Sequence, residues 1–93
     1  MKFEWDESKA RINQQKHGVS FEEAQTVFDD ADALQIFDPD HSESEDRFIM
    51  LGMSAVLRIL VVCHCYRAND DTIRIISARK ATRNESSTYE RRK

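Results

Sequence analysis

Ninety-three residues with 40% hydrophobic side chains and a net charge of −3 describe one small domain over 1–93, able to build a single core without disulfide or metal staples. A mean hydropathy of −0.67 and a longest apolar run of only Ile59 to Cys63 argue against a membrane span. The acidic opening Met1-Lys2-Phe3-Glu4-Trp5-Asp6 argues against a secretory leader, so a cytoplasmic location is expected.

Phe3-Glu4-Trp5 alternates apolar and polar residues, which predicts a short first strand. Asp6 suits the N-cap of a helix running to Lys16-His17, and Gly18 suits the left-handed position that ends it. Ser20 and Glu23 have capping-box spacing, and Phe21, Ala24 and Phe28 form the apolar stripe of a second helix. The period then changes. Leu34 to Phe37 predicts a strand and Asp38 to Ser42 a loop. Arg47 to Gly52, Leu57 to Tyr66 and Thr72 to Ala78 predict three successive antiparallel strands, the last two joined by an Asn69-Asp70-Asp71 turn. Thr82 and Glu85 make a second capping box. The terminal helix they open has little apolar surface beyond Ala81 and Tyr89, so it should dock weakly and fray, or borrow a partner's surface. The order β-α-α-β-β-β-β-α predicts an α+β fold: a small antiparallel sheet of about four strands plus a short N-terminal strand, with its helices on one face.

The charge is unevenly spread. Residues 1–72 balance to −8 and residues 73–93, including Lys93, to +5, a local footprint for a polyanion or an acidic partner. Asp38, Asp40, His41, Glu43, Glu45 and Asp46 crowd one stretch. Their oxygens would suit a hard cation, but the spacing lacks the glycine and terminal ligand of a calcium loop, so no metal or cofactor is expected. A solvated acidic loop is the plain reading. The chemical one makes His41 and Glu45 an acid/base pair, because imidazole and carboxylate groups exchange protons. Arg47, Arg58 and Arg74 fall on predicted strands, and Arg67 and Arg79 at the ends of two of them. Unpaired buried charge is costly, so they should line a sheet face or its rim, either converging on a phosphodiester or paired with the acidic half. Tyr89 could stack on a base, whereas Trp5 reads as core. His17 reads as a cap, His64 as a satisfied strand histidine, and Cys63 and Cys65 as buried reduced thiols.

Phe3-Glu4-Trp5-Asp6, Lys9-Ala10, Asn13 and Lys16-His17-Gly18-Val19-Ser20-Phe21-Glu22-Glu23-Ala24 resemble the opening of BrnT-type toxins. Those proteins are toxins of type II toxin–antitoxin modules, similar in fold to RelE-type ribonucleases. The resemblance continues through Asp38, His41-Ser42, Glu45, Arg47, Gly52, Ser54, Arg58 and Arg67. It closes with Arg74-Ile75-Ile76-Ser77-Ala78-Arg79, Ala81, Glu85 and Tyr89. Leu57 stands where the family often has a turn glycine, and His64-Cys65 where Tyr-Thr is common. The resemblance implies a metal-independent endoribonuclease that cleaves RNA, inhibits translation and arrests growth. It implies neutralisation by a BrnA-type ribbon-helix-helix antitoxin in a toxin–antitoxin hetero-oligomer, which reaches operator DNA through the antitoxin. His41 and Glu45 would be base and acid in an order left open, and Arg67 and Arg79 the phosphate ligands. Arg47, Arg58, Arg74 and Tyr89 would contact RNA. The competing reading is a non-catalytic module that binds a partner or nucleic acid and acts in operon regulation.

Overall fold

The computed structural model describes residues 1–92, and the basic Lys93 lies outside the described residues. After β1 (Lys2–Glu4), Asp6 opens α1 (Glu7–His17) by accepting from the Lys9 backbone N–H at 3.0 Å. Gly18, at φ 68°, closes that helix with its N–H on the Gln14 carbonyl at 2.8 Å. Ser20 caps α2 (Phe21–Thr26) by accepting from Glu23 N–H at 3.0 Å. The reciprocal half of that capping box is not made. The Glu23 carboxylate turns instead to the Ser54 hydroxyl and the Arg58 guanidinium, because a cation is a stronger partner than a solvated backbone N–H. A 3₁₀ turn (Val27–Asp29) leads on to β2 (Leu34–Phe37), β3 (Phe48–Met53), β4 (Ile59–Arg67), β5 (Thr72–Lys80) and α3 (Arg83–Arg92).

The strands form one five-stranded sheet in the order β1-β5-β4-β3-β2. β1 pairs parallel with β5 and the remaining neighbours pair antiparallel. The hairpin between β3 and β4 is tight, with Leu57 N–H on the Ser54 carbonyl at 2.9 Å. Leu57 itself sits at φ 67°, a left-handed conformation that favours glycine. Gly52 is buried against the turn after α2: a Cβ there would meet Ala33 Cβ and Val27 Cγ1 at 2.9 Å.

Alternation along β4 decides the layering. Leu60 and Val62 point to one face, where Val19, Phe21, Ala24 and Val27 cover them together with Ile75 and Ala78. Trp5 meets Phe21 edge-on at 5.9 Å, filling core as its sequence neighbours suggest. Val61 points to the other face and is also buried, with Leu51 and Tyr89. The expectation of helices on one face is therefore corrected: α1 and α2 cover one side, and α3 closes part of the opposite side. A strand that is apolar at consecutive positions needs cover on both faces.

The short α3 is held by few but specific contacts. Tyr89 is 2% exposed, and its hydroxyl donates to Asp30 Oδ2 at 2.6 Å. Thr82 and Glu85 complete their capping box in both directions, and Glu85 also receives both terminal nitrogens of Arg79, at 2.8 and 2.9 Å. The expected weak docking thus gains, besides the expected capping box, the Tyr89–Asp30 and Arg79–Glu85 contacts, which the sequence pattern did not show.

Two titrations follow from these anchors. Arg79 holds the Glu85 carboxyl down from 4.5 to about 2. A lowered pKa contributes stability above the unfolded value, so this anchor is complete above pH 4.5 and is lost as pH falls through about 2. Burial and then the Asp30 carboxylate push the Tyr89 phenol from 10.0 up to about 12. A raised pKa works in the opposite sense: this contribution is full below pH 10.0 and lost as pH rises through about 12. Phenolate absorbance and helical circular dichroism should therefore change together in that alkaline window. A phenol titrating at its ordinary value with α3 unchanged would mean that the ring is not held as described. Among the described residues, no helix is long and apolar enough to cross a membrane.

Candidate active site

The loop between β2 and β3 is tied at its base. Asp38 N–H donates to the Arg47 carbonyl at 2.8 Å. The Ser42 hydroxyl donates to the Asp38 carbonyl at 2.5 Å and accepts from Arg47 N–H at 2.9 Å. Pro39 opens a single 3₁₀ turn, Pro39–His41, which suits its fixed φ and missing N–H. That turn brings His41 back over Asp38, with Nδ1 at 2.9 Å from Asp38 Oδ2. The Asp38 side chain is 12% exposed and that of His41 66%. A carboxylate on Nδ1 fixes the ring's orientation and favours the tautomer whose Nε2 accepts a proton.

Behind this dyad lies a cleft of about 250 Å³, lined by Asp38, His41, Arg47, Ile49, Val61, Cys63, Ile76, Ser77 and Arg79. It opens on the sheet face opposite α1 and α2, where Arg47, Ile49 and Cys63 share a side through the β3–β4 register. A register shift in the β4–β5 ladder between Cys63 and His64 bends the sheet at the cleft floor, as bulges do. The Arg47 Nε is buried and has no hydrogen-bond partner. A buried donor left unmade costs about 1–3 kcal/mol, more when charged, and the Arg47 side chain lines the cleft together with Arg79. Arg79 enters from β5, its guanidinium steadied by Glu85 yet 41% exposed. Burial pushes the Cys63 thiol up, so it lines the cleft as a neutral group.

Of the residues singled out from the sequence, the fold brings His41, Arg47 and Arg79 to this cleft. Glu45 and Arg67 pair with each other at 3.2 Å. They are the charged neighbours of Cys65, two residues further along β4 from the cleft thiol. Arg58 is engaged elsewhere, gripping Glu23 and donating to the Gly18 carbonyl at 3.2 Å. Arg74 pairs with Glu4 at 2.8 Å on the β1 edge. The Tyr89 ring is buried under α3, where no base can stack on it. His64 is fully buried between the Val62 carbonyl at 3.1 Å and the Gln35 side chain at 2.9 Å, and burial holds its pKa down.

Asp38 was one carboxylate among many in the sequence. Its i,i+3 spacing to His41 across Pro39 was the signal that could have picked it out. Among the described residues, no three His, Cys, Asp or Glu side chains come together as a group able to hold a metal ion.

Residues 5–85 match the family model described as the ribonuclease toxin, BrnT, of type II toxin–antitoxin systems. The crystal structure of the Brucella abortus ribonuclease toxin BrnT is similar, with a TM-score of 0.67 and 27% sequence identity. The match covers 89% of this chain and 99% of that one. No curated protein matches the chain.

Proposed function

The chain belongs to the BrnT family of ribonuclease toxins of type II toxin–antitoxin systems, and from that premise we propose that it cleaves RNA without metal, at the His41–Arg47–Arg79 cleft. The observation that carries this reading is the convergence of Arg47 and Arg79 with the Asp38–His41 dyad on one cleft. In this reading the substrate supplies its own nucleophile. His41 Nε2 takes the proton of an RNA 2′-hydroxyl, and the freed oxygen attacks the adjacent phosphorus. Arg47 and Arg79 stabilise the charge that builds on the phosphoryl oxygens, and the bond to O5′ breaks. Water or the newly charged imidazole protonates the departing oxygen, and Asp38 stabilises that imidazolium as the carboxylate of a triad does. The Glu45–Arg67 pair lies outside the lining of this cleft and takes no part in the step.

A locally cationic cleft answers the acidic balance of the whole chain, because only the groups within a Debye length of the phosphate act strongly on it. Cleavage of cellular RNA would inhibit translation and arrest growth. The family implies an antitoxin partner, here proposed to be of the ribbon-helix-helix kind. Purified protein should cut RNA at an undiminished rate in excess chelator and leave 2′,3′-cyclic phosphate ends. Activity abolished by chelator and restored by a divalent cation, with the fold intact, would overturn the metal-free mechanism.

A further inference from the structure

The sheet face that carries α1 and α2 is not fully covered. Both helices sit over β5, and towards β2 the face ends in a run of aromatic rings. Phe37 meets Phe48 edge-on at 5.6 Å, and Phe48 meets Tyr66 at 5.5 Å. His64 lies 5.5 Å from Tyr66 and 4.8 Å from Phe28, and Phe28 lies 5.3 Å from Phe3. A groove of about 620 Å³ opens over Phe48 and Tyr66. A second, of about 370 Å³, opens over Phe3, Phe28 and Tyr66, so Tyr66 floors both. Phe37, on the edge strand, is 47% exposed.

The rim is acidic. Glu45, Asp46 and Asp70 border the first groove and Asp29 the second, and Arg67 offsets only Glu45. An aromatic floor alone would suit nucleic-acid bases, but carboxylates around it repel a phosphate backbone. The same rim attracts Lys and Arg side chains, and the floor accepts their apolar neighbours.

We propose that this groove is the docking surface for a basic, amphipathic segment of the antitoxin. The inference rests on the toxin–antitoxin reading above and adds where the partner is held. Ile49, which lines the candidate cleft, and Phe48 are consecutive in β3 and so face opposite sides of the sheet. The partner is therefore gripped on the side away from the candidate cleft. Apolar anchors set in a charge-complementary rim are the usual composition of a specific interface.

The test uses the full chain and, as probe, the purified product of the reading frame adjoining its own gene. Asp46 and Asp70 lie outside the proposed catalytic groups, so the double variant D46K/D70K should cleave RNA as the unaltered protein does. Its affinity for the probe, measured by titration calorimetry, should fall at least about tenfold, since like charges across an interface cost several kcal/mol. The affinity of the unaltered protein should weaken with added salt, and that of the variant much less. A thermal melt of D46K/D70K matching the unaltered protein excludes a folding defect. Equal affinity of variant and unaltered protein, or no binding of the probe to either, overturns the proposal. So does a groove that takes an oligoribonucleotide, or one that closes against a second copy of the chain in sedimentation. Loss of affinity in a protein that shows no ribonuclease activity would leave the docking surface standing and sink the catalytic reading instead.

Discussion

Arg47→Ala should cleave RNA about 10²–10³-fold more slowly than the unaltered protein, the loss seen when one preorganised donor to a developing oxyanion is removed. The effect should fall on kcat more than on KM, because the interaction is made chiefly as charge develops. Its melting temperature should hardly move, since the substitution also removes a buried N–H that has no partner in the free protein. Arg47→Lys should recover only part of the rate, because an ammonium cannot present the planar fork of a guanidinium. Arg79→Ala should lose activity similarly but should also melt lower. Its guanidinium holds Glu85 and hence the start of α3, a link that residue types alone would not suggest. A fully active Arg47→Ala protein would move the phosphate site away from this cleft.

The largest expected effect on stability lies far from the cleft. Asn13 is 6% exposed on α1, and its amide spans two elements. Nδ2 donates to the Val19 carbonyl at 3.0 Å and to the Ala78 carbonyl at 2.9 Å, while Oδ1 accepts from Ala78 N–H at 3.1 Å. β1 pairs with β5 only from Thr72 to Arg74. Further along, at Ala78, the Asn13 side chain does for the β5 edge what a strand neighbour would do. Asn13→Ala strands three buried backbone groups. At about 1–3 kcal/mol for each group, and allowing for water reaching some of them, the variant should lose about 3–5 kcal/mol. For a domain whose whole stability is about 5–15 kcal/mol, that is a large share. Denaturant unfolding should show the midpoint falling with an unchanged slope. A loss below about 1 kcal/mol would mean that β5 closes its own edge without Asn13.

Local chemistry was legible wherever a short-range rule sufficed. Asp6, Gly18, Ser20 and Thr82 mark helix ends through contacts within a few residues, and each sits where its side chain or φ predicts. Strand ends were less legible. β5 continues through Arg79 and Lys80 because they pair with Val61 and Leu60, whereas charged residues in a sequence suggest that a strand has stopped. Similarly, Glu23 has the spacing of a capping box, but a cation 35 residues away claims its carboxylate.

The candidate site divides in the same way. The sequence singled out His41, Arg47 and Arg79 as residue types able to do phosphoryl chemistry, and its resemblance to a known family supplied the reaction. It could not say which arginines converge. Five strand arginines looked equivalent, and pairing with Glu23, Glu4 and Glu45 occupies Arg58, Arg74 and Arg67. Two of those three partners lie 35 and 70 residues distant, so no local pattern could reveal them.

What the sequence determined by itself was the set of elements, their caps and the unbroken apolar run of β4, because propensity, capping and local apolar patterning act over a few residues. Only the tertiary structure decided that β1 joins β5 in parallel, that α3 closes the face opposite α1, and that Arg47 is left with an unpartnered nitrogen in a cleft. Those outcomes depend on strand register and on which charges meet across the sheet, and a one-residue shift in register would send every one of those side chains to the other face.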